Sequence, residues 1–235
     1  MWDYQTSCID DSQTNDMINY KGEIMDKEYI LPQDLIVLIS GVPGVGKTTI
    51  SNELLKTHNE FRLVEETDII REVLRGYGSY LTEIGKLHTE NIYSHDIFLS
   101  YEMAMQQCHI MRNSIINIIK RQQRKQIPSI INGVHIIPEE LYAHTSFPNI
   151  LYIILYVDSE DALWNHLKNR DPQKYSYQCV PFLYKTNLEL RKSIQRIPQE
   201  SCMLHSIDVS NLSIEETISN IDDILDRLFG NTKTY

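Results

Sequence analysis

Cysteine is scarce in this sequence of 235 residues, and its placement argues against two common kinds of site. The four cysteines are Cys8, Cys108, Cys179 and Cys202, and no two of them form a Cys-x-x-Cys pair. This spacing indicates neither a zinc site nor a disulfide framework. We expect reduced thiols in a cytoplasmic protein, because disulfides rarely persist in a reducing compartment.

Long apolar runs and an excess of positive charge are also missing. No window holds the roughly 18 consecutive apolar residues that suggest a membrane-spanning helix. Residues 1–16 are polar and acidic, unlike the basic start and apolar stretch of a signal peptide. Lys and Arg total 22 against 32 Asp and Glu, a net charge of −10. This balance disfavours a long nucleic-acid partner without excluding one, because such proteins usually present a basic surface.

Short apolar runs alternate with helical patterns along most of the chain. The strand-like runs lie at 35–39, 61–66, 127–131, 150–157 and 204–209. The helical patterns lie at 48–56, 69–74, 91–125, 162–168 and 214–229. This alternation predicts an α/β fold, a parallel five-stranded sheet with helices on both faces. The G-x-x-x-x-G-K-[ST] match at 41–48 makes us expect the P-loop NTPase/kinase version of this fold. We expect one domain over 34–235, preceded by a flexible extension at 1–33.

A complete phosphate-binding motif follows the first strand. The sequence Gly-Val-Pro-Gly-Val-Gly-Lys-Thr at 41–48 matches G-x-x-x-x-G-K-[ST] between a buried strand and a helix. We expect Lys47 to reach the β- and γ-phosphates of ATP, and the Thr48 hydroxyl to bind Mg²⁺. Backbone N–H groups of the loop should hold the phosphates. The predicted nucleotide contacts are Gly41, Gly44, Val45, Gly46, Lys47, Thr48 and Thr49.

A carboxylate and two arginines follow the second strand and predict the acceptor side of the site. Asp68 could accept the proton of an attacking hydroxyl. Arg71, one helical turn later, could hold an anionic group of the acceptor, and Arg75 could assist. The alternative for Asp68 is that it only caps the helix that follows. His135, after the third strand, is a further candidate for contact with the substrate, unless it is satisfied locally.

Two more positions bear on catalysis. Asn132 ends the third strand where a carboxylate that organises magnesium is expected, so the motif lacks a charge there. Arg170 ends the helix after the fourth strand, where a lid arginine would stabilise charge on the moving phosphoryl group. The segment at about 169–192 is polar and tyrosine-rich, and we interpret it as a mobile, lid-like loop with some helix.

Four stretches of the chain resemble the 2-phosphoglycerate kinase family. They lie at 41–49, 67–75, 131–138 and 184–195, within a likeness that runs from about 35 to 229. Where the family typically reads Glu-Gly-Val-His, this chain has Asn132-Gly133-Val134-His135. The resemblance implies ATP-dependent phosphorylation of the 3-hydroxyl of 2-phosphoglycerate.

Three hypotheses about function follow. The first is an ATP- and Mg²⁺-dependent kinase for a small anionic metabolite, with 2-phosphoglycerate as the candidate. The second is a polynucleotide 5′-hydroxyl kinase, or a nucleoside or nucleotide kinase. The third, motivated by Asn132, is an ATP-binding switch protein without phosphotransfer. Sequence alone predicts neither the oligomeric state nor the pathway.

Overall fold

The computed structural model describes residues 30–77, 100–144, 148–198 and 203–230. Within these ranges five strands form one sheet in the order β2-β3-β1-β4-β5, and every neighbouring pair is parallel. The strands are Ile36–Ser40 (β1), Leu63–Glu66 (β2), Ser129–Asn132 (β3), Ile150–Tyr156 (β4) and Leu204–Asp208 (β5). The predicted five-stranded parallel sheet is therefore confirmed.

Seven α-helices accompany the sheet in the described ranges. They are Lys47–Thr57 (α1), Thr67–Gly76 (α2), Tyr101–Arg124 (α3), Pro138–Leu141 (α4), Glu160–Arg170 (α5), Val180–Ser193 (α6) and Ile214–Phe229 (α7). Ser213 and Glu216 form a capping box at the start of α7. Of the helices that are described, none is both long and apolar enough to cross a bilayer.

The direction of each connection determines which face of the sheet its helix covers. The chain moves one way across the sheet from β1 to β2, and the opposite way from β2 to β3, β4 and β5. Because such crossovers are right-handed, α1 lies on one face and α3 and α6 lie on the other. Helix α7 returns to pack beside α1. The loops after β1 and after its neighbours thus leave toward opposite faces, which opens a crevice at the carboxyl edge.

The core sits between these layers. All residues of β1 and β4 are buried, since each strand has a neighbour on both sides and helices over both faces. On α3 one apolar stripe packs into the core, with Tyr101, Cys108, Ile115 and Ile119 buried. Burial raises the pKa of the Cys108 thiol to about 12, which makes it inert.

The segment at about 169–192, predicted as a loop with some helix, is mostly helical in its second half, because Val180–Ser193 forms helix α6. Its Val180, Leu183 and Leu190 are buried in the core. Asn187 is also buried and clamps the backbone after β4, accepting from Val157 N at 3.1 Å and donating to Val157 O at 2.8 Å. Residues 91–99 of the predicted long helix, like Cys8, Cys202 and most of the N-terminal extension, lie outside the described residues.

Candidate active site

The glycine-rich loop after β1 runs against the neighbouring strand β4. Gly41 has a φ of 148°, and a Cβ there would lie 2.5 Å from the Leu155 carbonyl oxygen. Only glycine therefore lets the chain turn this close to β4. Gly44 follows with a φ of 96°, and Gly46 caps the start of α1 with a φ of 87°. The loop thus has the curled backbone that the sequence motif predicts.

The apolar and the polar side chains of the loop differ in burial. Val42 and Val45 are buried in the core and anchor the loop, whereas Thr48 and Thr49 are exposed. The first turn of α1 carries no acidic residue that could occupy its free N–H groups. A helix N-terminus of this kind is a natural site for phosphate oxygens. The residues present therefore fit the phosphates of a nucleoside triphosphate.

Lys47 contacts the phosphate-binding loop and is also influenced by charged residues outside it. Its Nζ donates a hydrogen bond to the Val42 carbonyl oxygen at 2.9 Å. Burial lowers the pKa of Lys47 to about 8. The positive charge of Arg170 lowers this pKa further, whereas the negative charges of Asp68 and Glu66 raise it. The charges of Asp68, Glu66 and Arg170 thus all act on the Lys47 ammonium group. Two of these residues, Asp68 and Arg170, are the ones predicted to act in catalysis with Lys47.

Asp68 lies inside helix α2 rather than at its cap. The N-cap is Glu66, and its side chain makes no capping hydrogen bond. The alternative interpretation of Asp68 as a helix cap is therefore wrong. Its side chain is 57% exposed, so the carboxylate can be reached from the crevice. A carboxylate in the first turn of a helix is also favoured by the helix dipole.

The two arginines of α2 differ in how they are engaged. Arg71 is only 11% exposed, and its Nη2 lies 3.2 Å from Asp68 Oδ1. Its buried Nε makes no hydrogen bond to any described residue, and Glu72 Oε1 lies 3.7 Å from it. Arg75 instead donates to both carboxylate oxygens of Glu72, at 2.9 and 3.0 Å. Arg71 is thus the better placed of the two for an anionic ligand.

His135 is satisfied locally, the alternative to substrate contact that the sequence left open, because its side chain is fully buried. Its Nδ1 lies 3.0 Å from Thr67 Oγ1, and its Nε2 lies 2.6 Å from Gln107 Oε1 on α3. Burial holds the pKa of His135 well below its usual range, so the ring is neutral. The Gln107 oxygen only accepts, so Nε2 donates to it and Nδ1 accepts from Thr67. His135 therefore positions the start of α2, including Asp68, from behind.

Gly133 completes this support. Its φ is 156°, and a Cβ there would lie 1.7 Å from Thr67 Oγ1. The segment after β3 therefore passes directly against the first residue of α2. The Gly-Val-His sequence that resembles the kinase family thus has a structural role in this chain, which is to fix α2 beside the loop.

Replacing Gly133 with alanine should lower the free energy of unfolding by about 1–3 kcal/mol, because the added methyl group overpacks the contact with Thr67. Chemical denaturation measures this change. Gly76→Ala is the matched control, since a Cβ at Gly76 meets nothing within 4 Å, and it should leave stability unchanged or slightly raised. Removing the clashing hydroxyl in a Gly133→Ala/Thr67→Ala double variant should recover part of the loss. Wild-type stability of Gly133→Ala would contradict the contact.

A magnesium ion at this edge would depend on few protein groups. Among the residues that the structure describes, no three or more His, Cys, Asp or Glu side chains are grouped to hold a metal. Mg²⁺ beside nucleotides is usually held by phosphate oxygens, waters and one or two carboxylates. The exposed Thr48 hydroxyl, with Glu66 and Asp68 both acting on Lys47, fits this mode.

Two residues near the site escaped prediction from sequence. Gln107 occupies the apolar stripe of α3 between Ala104 and Met111, and a polar residue at a core position signals a buried partner. Here that partner is His135. Glu66 gave a weaker signal, since it is an acidic residue at the end of a predicted strand. The structure shows that this strand pairs with the strand of Asn132.

Comparison with known proteins finds curated relatives that are named as kinases. The chain is 28% identical over 203 residues to a 2-phosphoglycerate kinase of Thermococcus kodakarensis. The aligned region covers 80% of this chain and 64% of the relative. It is also 28% identical over 211 residues to the protein of that name from Pyrococcus horikoshii, covering 82% and 65%. The chain thus spans less than two thirds of the length of these curated relatives. The predicted resemblance to this kinase family is confirmed.

Solved structures show the same fold. A gluconokinase from Sinorhizobium meliloti 1021 superposes with a TM-score of 0.54 at 15% identity, covering 85% of this chain and 96% of that chain. A thymidylate kinase from Candida albicans gives a TM-score of 0.52 at 15% identity, covering 83% and 92%. The family model described as an AAA domain matches residues 37–178, more than half of the chain. By this match, and by the loop geometry that accompanies it, the chain belongs to the AAA domain family.

Proposed function

We propose that this chain is an ATP- and Mg²⁺-dependent phosphotransferase. It moves the γ-phosphoryl group to a hydroxyl of a small anionic acceptor, and 2-phosphoglycerate is the acceptor we favour. The observation that carries the proposal is the ion pair of Arg71 with Asp68, whose charge also acts on Lys47. It pairs an anion-binding group with a base at the edge of the phosphate-binding loop.

Arg71 gives the acceptor its expected charge. The guanidinium is nearly buried, and its Nε has no hydrogen-bond partner among the described residues. A buried unpaired donor is costly unless a ligand satisfies it. A phosphate or carboxylate can take two parallel hydrogen bonds from such a group. The acceptor therefore carries an anionic group about one helical turn from the hydroxyl that faces Asp68.

On the nucleotide side the chain supplies a fixed cradle. When bound, ATP–Mg²⁺ supplies the transferable phosphoryl group and a divalent charge. The backbone of the loop and the N-terminus of α1 hold the phosphates, and Lys47 exchanges its bond to Val42 for phosphate oxygens. The Thr48 hydroxyl orients the metal. This side of the site binds and aligns, which is most of the catalysis in phosphoryl transfer.

On the acceptor side the chain moves one proton and balances charge. Asp68 accepts the proton of the attacking hydroxyl. Arg170 ends α5 and is exposed, so it can turn toward the transferred group and neutralise its charge. We propose that the lid comprises residues 171–179, the part of the segment at about 169–192 that lies between α5 and α6. Closure of this part would exclude water from the reaction.

The acceptor named in the curated relatives matches this site chemically. 2-Phosphoglycerate has a free 3-hydroxyl, a phosphate and a carboxylate, which suits one base beside one arginine. A long polynucleotide would need several phosphate contacts along a basic groove, and the chain carries a net charge of −10. The small acid is therefore preferred to the polynucleotide end as acceptor.

Transfer of labelled γ-phosphate from ATP–Mg²⁺ to a panel of acceptors tests the proposal. The panel contains 2-phosphoglycerate, nucleosides, nucleoside monophosphates and 5′-hydroxyl oligonucleotides. We expect strong labelling of 2-phosphoglycerate, and Arg71→Lys should raise the KM for this acceptor more than the KM for ATP. The lysine keeps the charge but loses the paired hydrogen bonds that a guanidinium donates.

Other outcomes would redirect or refute the proposal. Labelling of the oligonucleotide alone would identify a kinase for nucleic-acid ends. Labelling of a nucleoside or a nucleotide would keep the reaction and change the acceptor. Tight ATP binding with no labelled product in the whole panel would favour the switch protein.

A further inference from the structure

The end of β3 lacks a charge where the nucleotide site is expected to have one. Asn132 is buried there, and its Nδ2 donates to Ser51 Oγ on α1 at 3.1 Å. Ser51 is one helical turn beyond Thr48, so the amide is held against the helix that carries the loop. An amide in this place can orient a water molecule, but it cannot balance a divalent cation.

The neighbouring strand brings a carboxylate to the same place. In the β2–β3 ladder Glu66 is the partner of Asn132, and in the β1–β3 ladder Asn132 is the partner of Ile39. Side chains of paired residues stand on the same face of a sheet. Glu66 therefore stands on the face where Asn132 contacts α1, one strand further from the loop. Neighbouring strands are only about 4.8 Å apart, a gap that a glutamate side chain can span.

Glu66 has no structural task that would explain it. Its carboxylate makes no hydrogen bond or ion pair with another residue of the described ranges, and it does not cap α2 although it is the N-cap residue. Its influence reaches Lys47, the residue that faces the phosphates. The carboxylate is half-buried and lies at the carboxyl edge of the sheet, where the crevice opens.

We infer that Glu66 is the acidic group that holds the nucleotide-bound magnesium ion, directly or through a water, in place of the missing carboxylate at Asn132. This inference rests on the proposed function, because it concerns the metal of the same nucleotide. It identifies the ligand class as a divalent cation bound to phosphates. It also removes the reason to regard Asn132 as the mark of an inactive protein, since the charge has moved by one strand.

Calorimetric binding of a non-hydrolysable ATP analogue, adenylyl imidodiphosphate, tests the inference without an acceptor. The quantity measured is the gain in affinity when Mg²⁺ replaces EDTA. In Glu66→Gln this gain should fall about 10- to 100-fold, as for other groups that orient a metal. Affinity in EDTA should stay the same or rise, because a negative charge near the phosphates is gone. Glu65→Gln on the opposite face, where Glu65 bonds Gln122, is the matched control and should keep the full gain.

A charge transposition makes the test independent of general damage to the site. In the Glu66→Gln/Asn132→Asp double variant the carboxylate returns to β3, and at least part of the magnesium-dependent gain should return with it. A purely structural role for Glu66, such as balancing Lys47, would alter affinity in EDTA and leave the gain intact, which would overturn the inference. A wild-type protein whose nucleotide affinity ignores Mg²⁺ would overturn it as well. If Glu66→Gln loses the gain while no acceptor in the panel is labelled, the metal assignment stands and the proposed phosphotransfer falls.

Discussion

Replacing Asp68 with asparagine should lower the rate of phosphoryl transfer by about 10²–10⁴-fold, the usual contribution of a positioned base. Asparagine keeps the size of the side chain and its place in the first turn of α2, but it cannot accept the proton of the attacking hydroxyl. The contact of Arg71 Nη2 with Asp68 Oδ1 can persist with the amide oxygen of asparagine, so binding of the acceptor should weaken much less. Steady-state kinetics would show a fall in kcat with a small change in KM.

The control for this variant is Asp161→Asn, an exposed aspartate in the first turn of α5 that is distant from the acceptor residues in the chain. It makes the same chemical change at a comparable position of another helix and should keep nearly full activity. If Asp68→Asn also retained most of its activity, Asp68 would not be the base. The exposed carboxylate would then serve only to hold Arg71.

Replacing Lys47 with alanine should reduce turnover by about 10²–10³-fold, the loss typical of one electrostatic contact to a developing charge. The ammonium group neutralises the phosphates that move, and no other lysine lies in the loop. Stability should respond differently. Because burial lowers the pKa of Lys47 to about 8, the fold disfavours its charged form, and the variant should be as stable as the wild type or more so.

Lys56→Ala on the same helix is the matched control for Lys47→Ala. The Lys56 side chain is 68% exposed and, among the residues that the structure describes, pairs only with Glu53, so its loss should change neither activity nor stability by much. Thermal unfolding and ATP binding, measured on both variants, separate the two effects. A large drop in the melting temperature of Lys47→Ala would show that the lysine supports the fold, and the loss of activity would then not report on catalysis.

The frame of the fold could be predicted from the sequence because its signals are local. The branched apolar run of β1 reads as a strand buried on both faces, and the glycine-rich motif directly after it requires the curled loop that the structure contains. Ser213 and Glu216 likewise fix the start of α7 by contacts within one turn. Such features depend on neighbours in the chain, so they need no knowledge of the tertiary structure.

What could not be predicted depends on contacts between distant segments. Helix α6 appeared to be a polar loop because its polar residues, above all Asn187, are satisfied by the backbone after β4, 30 residues away in the chain. The sequence could not decide whether His135 contacts a substrate or is satisfied locally, because its partners, Thr67 and Gln107, lie on α2 and α3. The gap at Asn132 appeared uncompensated because strand register, which puts Glu66 beside it, is not visible in sequence. In each case a polar residue had a partner that only the fold supplies.

The central claim is that ATP and a small anionic acceptor react in this site, and acceptor-dependent formation of ADP tests it most directly. The wild-type chain is mixed with ATP and Mg²⁺, with and without 2-phosphoglycerate, and ADP is measured over time. We expect ADP to form many times faster with the acceptor, together with an equal amount of doubly phosphorylated glycerate, and Asp68→Asn to abolish the difference. ADP formation at the same rate with and without the acceptor would contradict the account, because the site would then hydrolyse ATP or only bind it.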